Sequence, residues 1–379
     1  MTIDGTPPES GALEHLSELL SHRGPDGKGQ HLSGDVGLVQ TRLAIIDLET
    51  GDQPIYAWDS TSSIKAALVA NGEIYNYKSL QDDLKSKGHK FKTNSDTETI
   101  VHAYEEYDLD FVNHLQGMFA IAIWDEKRNR TILVRDRLGV KPLFYSIVKN
   151  NLLFSSEIKS ILQFDGVTRE INHDGLYQFA TYGYTIDGQT MMKNIYELLP
   201  GHKLIYSFLD NSIKIEKYWE LEIKESNFAE DFYIKKLEKI LTNSIDLRQV
   251  SDAPIGALLS GGLDSSIMVA ILSKLSEQPV KTFTTGFGHE LDEYSEAQTV
   301  AEHCGTDHKE ISLTFDHLSK SLPTILWHME FPFGRPSILS NYLVSEQVKK
   351  FVTVAYTGEG SDELFGGYNR YLIYSKDKS

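Results

Sequence analysis

Ser260-Gly-Gly-Leu-Asp-Ser-Ser266 constrains this chain more than any other stretch. It follows the apolar run Ile255-Gly-Ala-Leu-Leu259 and precedes apolar residues at Leu263, Ile267, Ala270, Ile271 and Leu275. A short apolar run, a Gly-Gly turn and then a helical period read as strand, loop, helix. Gly261 and Gly262 let backbone amides come close to a ligand. The new helix aims free N–H groups and a partial positive charge at whatever sits there. Ser260, Ser265 and Ser266 add hydroxyls, and Asp264 adds a carboxylate suited to a divalent cation on phosphates. The lysine of a Walker loop is missing, so machinery for γ-phosphate transfer is not written here.

The flanking sequence extends this unit into a domain. A helical pattern carries Ile234, Leu237, Leu241 and Ile245 on one side. From Pro254 the order is strand, loop, helix, then a strand at 280–287, a helix at 295–304, a strand at 309–313, helical stretches and a strand at 351–356. Such alternation predicts a parallel sheet with helices on both faces. Ligands then belong at the carboxyl ends of the strands. Thr357-Gly-Glu-Gly-Ser-Asp-Glu-Leu-Phe-Gly-Gly-Tyr368 lies just past the last of these strands. Glu363 stands where a dinucleotide fingerprint needs its third glycine. An acidic loop facing polyphosphate makes chemical sense only with cations between them.

The N-terminal half reads differently. Strands are expected at 36–47 and 64–76, helices at 80–87 and 97–107, and strands at 119–124, 130–135, 140–146 and 152–155. Two more, at 204–207 and 213–218, precede a charged linker at 220–230. Many strands with an inserted helical pair predict an α+β layered domain. Four clusters carry chemical groups: Arg42-Leu-Ala-Ile-Ile-Asp47, Asn71-Gly-Glu-Ile-Tyr-Asn76, Ser95-Asp-Thr-Glu98 and Arg135-Asp-Arg137. Taken singly, each is readable as structural; Ser95, for one, would serve as an N-cap with acidic residues in the first turn behind it.

Bulk properties narrow the partners. A length of 379 residues suggests two domains. A net charge of -17 and a pI near 5.2 argue against nucleic acid or an anionic membrane as partner. No apolar run is long enough to span a bilayer, and the N-terminus shows no secretory signal. The single cysteine, Cys304, excludes an internal disulfide and fits a reducing, cytoplasmic setting. Cys304 falls in phase with Ala297, Val300 and Ala301, which marks it as packing. The histidines show no zinc-site spacing.

The string at 260–266, with the acidic loop at 357–368, resembles the pyrophosphate loop of ATP pyrophosphatases and is most similar to the asparagine synthetase family. The four N-terminal clusters together resemble a class II glutamine amidotransferase domain, from about His22 to about Ile161. The resemblance implies an αββα, N-terminal-nucleophile-like domain over 1–219 and an incomplete ATP pyrophosphatase domain over 228–379. It assigns Arg42 to the glutamine α-carboxylate, Ile45 and Ile46 to backbone contacts, and Glu73 and Asp96 to the α-ammonium. Asn71 and the N–H of Gly72 would form the oxyanion hole. Leu258, Thr285, Thr357 and Gly358 would join Ser260, Gly261, Gly262, Asp264, Ser265 and Ser266 in binding ATP. Asp264 and Asp362 would hold Mg²⁺, and Glu359 would act as general base when ammonia attacks an acyl-adenylate. Thr357 replaces a more usual serine and keeps the hydroxyl.

The implied reaction takes aspartate, ATP and glutamine or ammonia to asparagine, AMP and pyrophosphate; a homodimer is compatible with the resemblance. Two departures stand out. The family's nucleophile is a cysteine at the mature N-terminus, whereas this sequence begins Met1-Thr-Ile-Asp-Gly5. Asp4-Gly5 resembles the turn after the family's first strand, so an inactive glutaminase half is expected. The sequence also ends at Ser379, where family members continue through a helical segment. Competing readings are a related enzyme acting on a sugar acid, peptide or β-amino acid, a nucleotide-binding chain without catalysis, and an N-terminal hydrolase using Thr2.

Overall fold

The computed structural model describes residues 10–58, 61–290, 292–332, 334 and 337–376. Thr2 and the Asp4-Gly5 turn lie outside the described residues. Two compact units emerge, one reaching Glu225 and taking in Met329–Gly334, the other starting at Ser226. The resemblance, by contrast, implies a second domain over 228–379 that includes 329–334. In the structure the Glu330 carboxylate accepts the backbone N–H groups of Ile158 and Lys159 at 2.7 and 2.6 Å within the first unit.

The first unit opens with α1 (Ser10–Leu19) and the paired strands β1 (Gly27–Ser33) and β2 (Val36–Arg42). Next come β3 (Ile55–Trp58), β4 (Ile64–Ile74), α2 (Tyr77–Ser86), α3 (Asp96–Tyr107), β5 (Gly117–Asp125) and β6 (Arg130–Arg135). The remainder is β7 (Phe144–Val148), β8 (Asn151–Ser155), α4 (Ile158–Ile161), α5 (His173–Tyr182), β9 (Ile195–Glu197), β10 (His202–Ser207) and β11 (Ser212–Lys217). An antiparallel sheet runs in the order β11-β10-β6-β5-β4-β3, beside a smaller sheet β8-β7-β9.

Strand alternation explains the layers. Ala67, Val69, Ala120, Ala122, Trp124, Leu133, Leu204 and Tyr206 lie on one face and pack with Leu38 of β2 and Leu152 of β8. The residues between them, including Leu68, Ile121, Ile123 and Ile132, are fully buried as well and belong to the other face. The helix α3 packs against β3 and β4, while α1 packs against β2 and α4. The result is helix, sheet, sheet, helix. Burying a large aliphatic side chain stabilises by about 1.5–3 kcal/mol, so a central strand apolar on both faces is a strong anchor.

Three expected strands end or begin three or more residues away, each for a local reason. The strand expected to reach residue 47 stops at Arg42, because Asp47 turns at φ 55° and its carboxylate accepts the N–H groups of Thr50 and Asn94. The strand expected from 140 begins at Phe144. The N–H groups of Leu138, Val140 and Lys141 all donate to the Asp136 carboxylate and cannot enter a ladder. The strand expected from 351 begins at 354, since the N–H groups of Phe351 and Val352 still bond to Val348 at the end of a helix. Arg135 donates to the carbonyls of Lys141, Leu198 and Gly139. The Arg135-Asp-Arg137 cluster is thus scaffold.

The second unit holds α6 (Glu230–Arg248), β12 (Ile255–Leu258), α7 (Leu263–Leu275), β13 (Lys281–Gly286), α8 (Tyr294–Cys304) and β14 (Asp307–Ser312). It continues with α9 (Phe315–Met329), α10 (Ser337–Val348), β15 (Val354–Tyr356), α11 (Ser361–Phe365) and α12 (Asn369–Lys376). Its four-stranded sheet has the order β14-β13-β12-β15 and is parallel throughout. Ile245, Ala257, Leu259, Val269, Leu272, Ala297 and Ala301 form a core against which Cys304 packs. No helix among the described residues is long and apolar enough to cross a membrane.

Candidate active sites

In the first unit, Arg42, Ile45, Ile46, Asn71, Gly72, Glu73 and Asp96 all line one cavity of about 370 Å³. The strand β4 supplies its floor. Its pairing with β3 stops at Leu68, opposite Ile55. Beyond that point the Gln53 side chain replaces a strand, accepting the Ala70 N–H at 2.7 Å and donating to the Ala70 carbonyl at 3.1 Å. Two residues past Gly72, the Ile74 N–H donates to Asp96 Oδ2 at 2.8 Å. Backbone N–H groups alternate in direction along a strand. Gly72, between Ala70 and Ile74, therefore directs its N–H at the same unpaired edge.

Asn71 adds a second donor. Its Nδ2 is buried and has no hydrogen-bond partner among the described residues. A buried amide left unmade in this way calls for an explanation. A ligand oxygen beside Asn71 and Gly72 supplies one. Gly72 tolerates no side chain: at φ 144°, a Cβ would stand 2.0 Å from the Met118 carbonyl oxygen.

The cavity is polar at both signs. Arg42 is buried, and its guanidinium is held by Asp52 Oδ1 at 3.0 Å and by the carbonyls of Ile46 and Asp47 at 3.2 and 2.5 Å. Asp96 is buried at the start of α3, whose N-cap Ser95 accepts the Thr97 N–H. Burial pushes the Asp96 carboxyl above the usual carboxylate range, against the opposing bonds from Ile74 and Thr97. Lys141 also lines the cavity and was not anticipated. Burial pushes its ammonium down, with Glu73 pulling the other way. Cationic and anionic groups in one chamber suit a zwitterionic amino acid. Lys141 left no signal in the sequence beyond its nearness to the Arg135-Asp-Arg137 cluster.

In the second unit the two glycine turns follow adjacent parallel strands, β12 and β15. They approach closely: a Cβ on Gly358 would lie 3.5 Å from Asp264 Cβ and 3.6 Å from the Ser265 nitrogen. Gly261 turns at φ 79°, and a Cβ there would meet the Glu296 carbonyl carbon at 2.5 Å. The hydroxyls mostly build the loop itself. Ser260 Oγ lies 3.0 Å from Ser265 Oγ and accepts the Gly262 N–H at 3.2 Å. Ser266 Oγ donates to the Gly262 carbonyl at 2.6 Å. Leu258 ends β12 and Thr285 lies in β13, next to it in the sheet. Asp264 and Glu359 are exposed, Asp362 is half-buried in α11, and the Glu359 N–H reaches toward Thr357 Oγ1 at 3.5 Å.

The first unit is thus a layered domain with an amino-acid-sized polar chamber, and the second a parallel-sheet domain with paired glycine turns. Residues 2–219 match the glutamine amidotransferase domain family, and residues 236–378 match the asparagine synthase family. A glutamine-hydrolysing asparagine synthetase from Bacillus subtilis is 34% identical over 95% of this chain and 56% of its own length. A putative glutamine-hydrolysing asparagine synthetase from Methanocaldococcus jannaschii is 33% identical over 95% of this chain and 73% of its own. A Penicillium rubens protein named amidase chyE is 33% identical over 95% of this chain and 55% of its own. This chain therefore spans between about half and three quarters of the length of these relatives. It belongs to the glutamine-hydrolysing asparagine synthetase family.

Proposed function

We propose that this chain activates the side-chain carboxylate of aspartate with ATP and converts it to the amide of asparagine. The aspartate oxygen attacks the α-phosphorus of ATP, the bond to the bridging oxygen breaks, and pyrophosphate leaves. Ammonia then attacks the acyl carbon of the aspartyl-adenylate, AMP departs with the bonding electrons, and one proton goes to Glu359. The observation that carries this reading is the close approach of the Gly358 turn to Asp264 and Ser265 at the tips of neighbouring parallel strands. Backbone amides there would meet polyphosphate.

The exposed carboxylate of Asp264 beside the Gly358 turn, with Asp362 in the same turn region, offers the hard oxygen donors that Mg²⁺ takes. Bound by Asp264 and Asp362, Mg²⁺ would screen the charge between two anions. In the first unit, Arg42 would take the glutamine α-carboxylate, Glu73 and Asp96 its ammonium, and Asn71 and Gly72 the oxyanion. Ile45 and Ile46 would contact its backbone atoms. A polypeptide of these 379 residues has one thiol, Cys304, packed on the second unit's core and pushed up by burial. Such a polypeptide would therefore release no glutamate from glutamine.

Incubation of the purified chain with ATP, Mg²⁺, aspartate and ammonium tests this reading, with products resolved by chromatography. AMP, pyrophosphate and asparagine are expected. Formation of ADP and phosphate, or AMP release only with a sugar acid, a peptide or a β-amino acid, would overturn it. Glutamate release from glutamine would overturn the inactive glutaminase half alone.

A further inference from the structure

Neither the glutamine chamber nor the nucleotide turns use the outer face of α3. There, three side chains from two parts of the first unit converge: His89, in the connection after α2, with His102 and Glu105 one turn apart on α3. One donor atom from each lies within 4.8 Å of the other two. Glu105 Oε2 stands 2.9 Å from His102 Nδ1 and 3.8 Å from His89 Nδ1. The rings meet edge to face with centroids 5.2 Å apart. His102 is buried, and His89 and Glu105 are half-buried.

The outer atoms of the same side chains are also held. His102 Nε2 lies 3.5 Å from Glu98 Oε1, and His89 Nε2 lies 3.2 Å from Glu106 Oε2. The second oxygen of Glu105 accepts from Lys65 Nζ at 2.8 Å. In metal sites, a ligating imidazole commonly donates its other N–H to a carboxylate, which fixes its tautomer and raises its basicity. His89 has that arrangement, His102 Nε2 stands a longer 3.5 Å from Glu98, and both rings turn Nδ1 toward Glu105.

A protonated His102 between Glu98 and Glu105 is the competing account. It explains one ring. Extending it to His89 requires a second imidazolium, between Glu105 and Glu106, packed edge to face against the first. Charge points the same way as geometry. Glu98, Glu105 and Glu106 outnumber Lys65 and Lys87, the latter 3.9 Å from Glu106, so neutral imidazoles leave an excess negative charge.

We propose that His89, His102 and Glu105 bind a divalent transition-metal ion of the zinc class, with water completing the shell. Two imidazoles and a carboxylate form a donor set that Zn²⁺ accepts with an open position. Ligands about 2.0–2.2 Å from a tetrahedral ion lie about 3.4 Å from one another, so closure draws His89 in from 3.8 Å and opens the 2.9 Å contact between His102 and Glu105. The ion would clip the α2–α3 connection onto the helix whose first residue, Asp96, lines the glutamine chamber.

Calorimetric titration of the chelator-treated, dialysed full chain with zinc chloride at neutral pH tests this. One ion per chain with a dissociation constant of about 10 µM or tighter is expected, together with a higher unfolding temperature. Glu105→Gln and His89→Ala, both at half-buried positions, should keep the circular dichroism spectrum and weaken binding about a hundredfold. Glu106→Gln, which touches only the outer ring nitrogen, should weaken it about tenfold. No saturable binding by about 100 µM free zinc, or equal binding by wild type and both ligand variants, would overturn the proposal.

Discussion

On the proposed function, the chamber in the first unit and the turns in the second would solve recognition in opposite ways. The chamber is over-determined: Arg42 and Asp96 are each held by several neighbours, and Gln53 clasps both backbone groups of Ala70 before any ligand arrives. Its donors are few, buried and individually placed. The turns instead present backbone, with hydroxyls spent on shaping the loop and the carboxylates of Asp264 and Glu359 left toward solvent. A small zwitterion needs discrimination from many similar molecules, which fixed side chains provide. A magnesium-bound polyphosphate needs charge and many N–H groups, which a glycine turn provides.

That contrast can be broken most forcefully at the glycines. Gly72→Ala and Gly261→Ala each place a methyl group into backbone, at 2.0 and 2.5 Å, with φ at 144° and 79°. Each should destabilise its unit by about 3 kcal/mol or more, read from urea unfolding followed by a probe in that unit. A cost below about 1 kcal/mol at Gly72 would mean that the chamber is softer than described.

Asp264→Asn separates the two designs more gently. The side chain is exposed, so the urea midpoint should not move, while Mg–ATP affinity should fall about tenfold, or about 1.4 kcal/mol. Unchanged affinity would remove Asp264 from the nucleotide site.

The smallest effect is expected at Asp96. Its folded pKa lies above the unfolded value because burial opposes the charge. Its contribution is therefore most favourable at acid pH and is lost as pH rises. Asp96→Asn keeps an acceptor for the Ile74 N–H, so it should raise the unfolding midpoint slightly at pH 7.5, with the gain vanishing in acid. The same change should weaken glutamine binding. A lower midpoint at pH 7.5 would show that the carboxylate is stabilised by more than its backbone bonds.

The strand-turn-helix at 255–275 was legible because a Gly-Gly turn separates two periodicities, and β5 because its apolar run fills both faces of a sheet. Several elements left no such trace. In β1 only His31 is buried, so no apolar alternation exists to read. In α1 the buried Leu13 and Leu16 sit among polar residues, too few to define a face. The chamber residues are recognisable only through resemblance to a family, since Arg42, Asn71 and Asp96 come from separate elements. Lys141 was hidden because its backbone, tied to Asp136, lies outside any regular element. His89 and His102 come together only because α3 folds back beside the end of α2, a proximity that spacing along the chain does not encode.

The late start of β3 has a consequence for how such a chamber could be tuned. Its depth follows from the length of a neighbouring strand rather than from the identity of any lining side chain. Four more paired residues before Ile55, reaching Gly51, would seal the Gly72 amide into an ordinary ladder, and the opening would close without a single lining residue being changed.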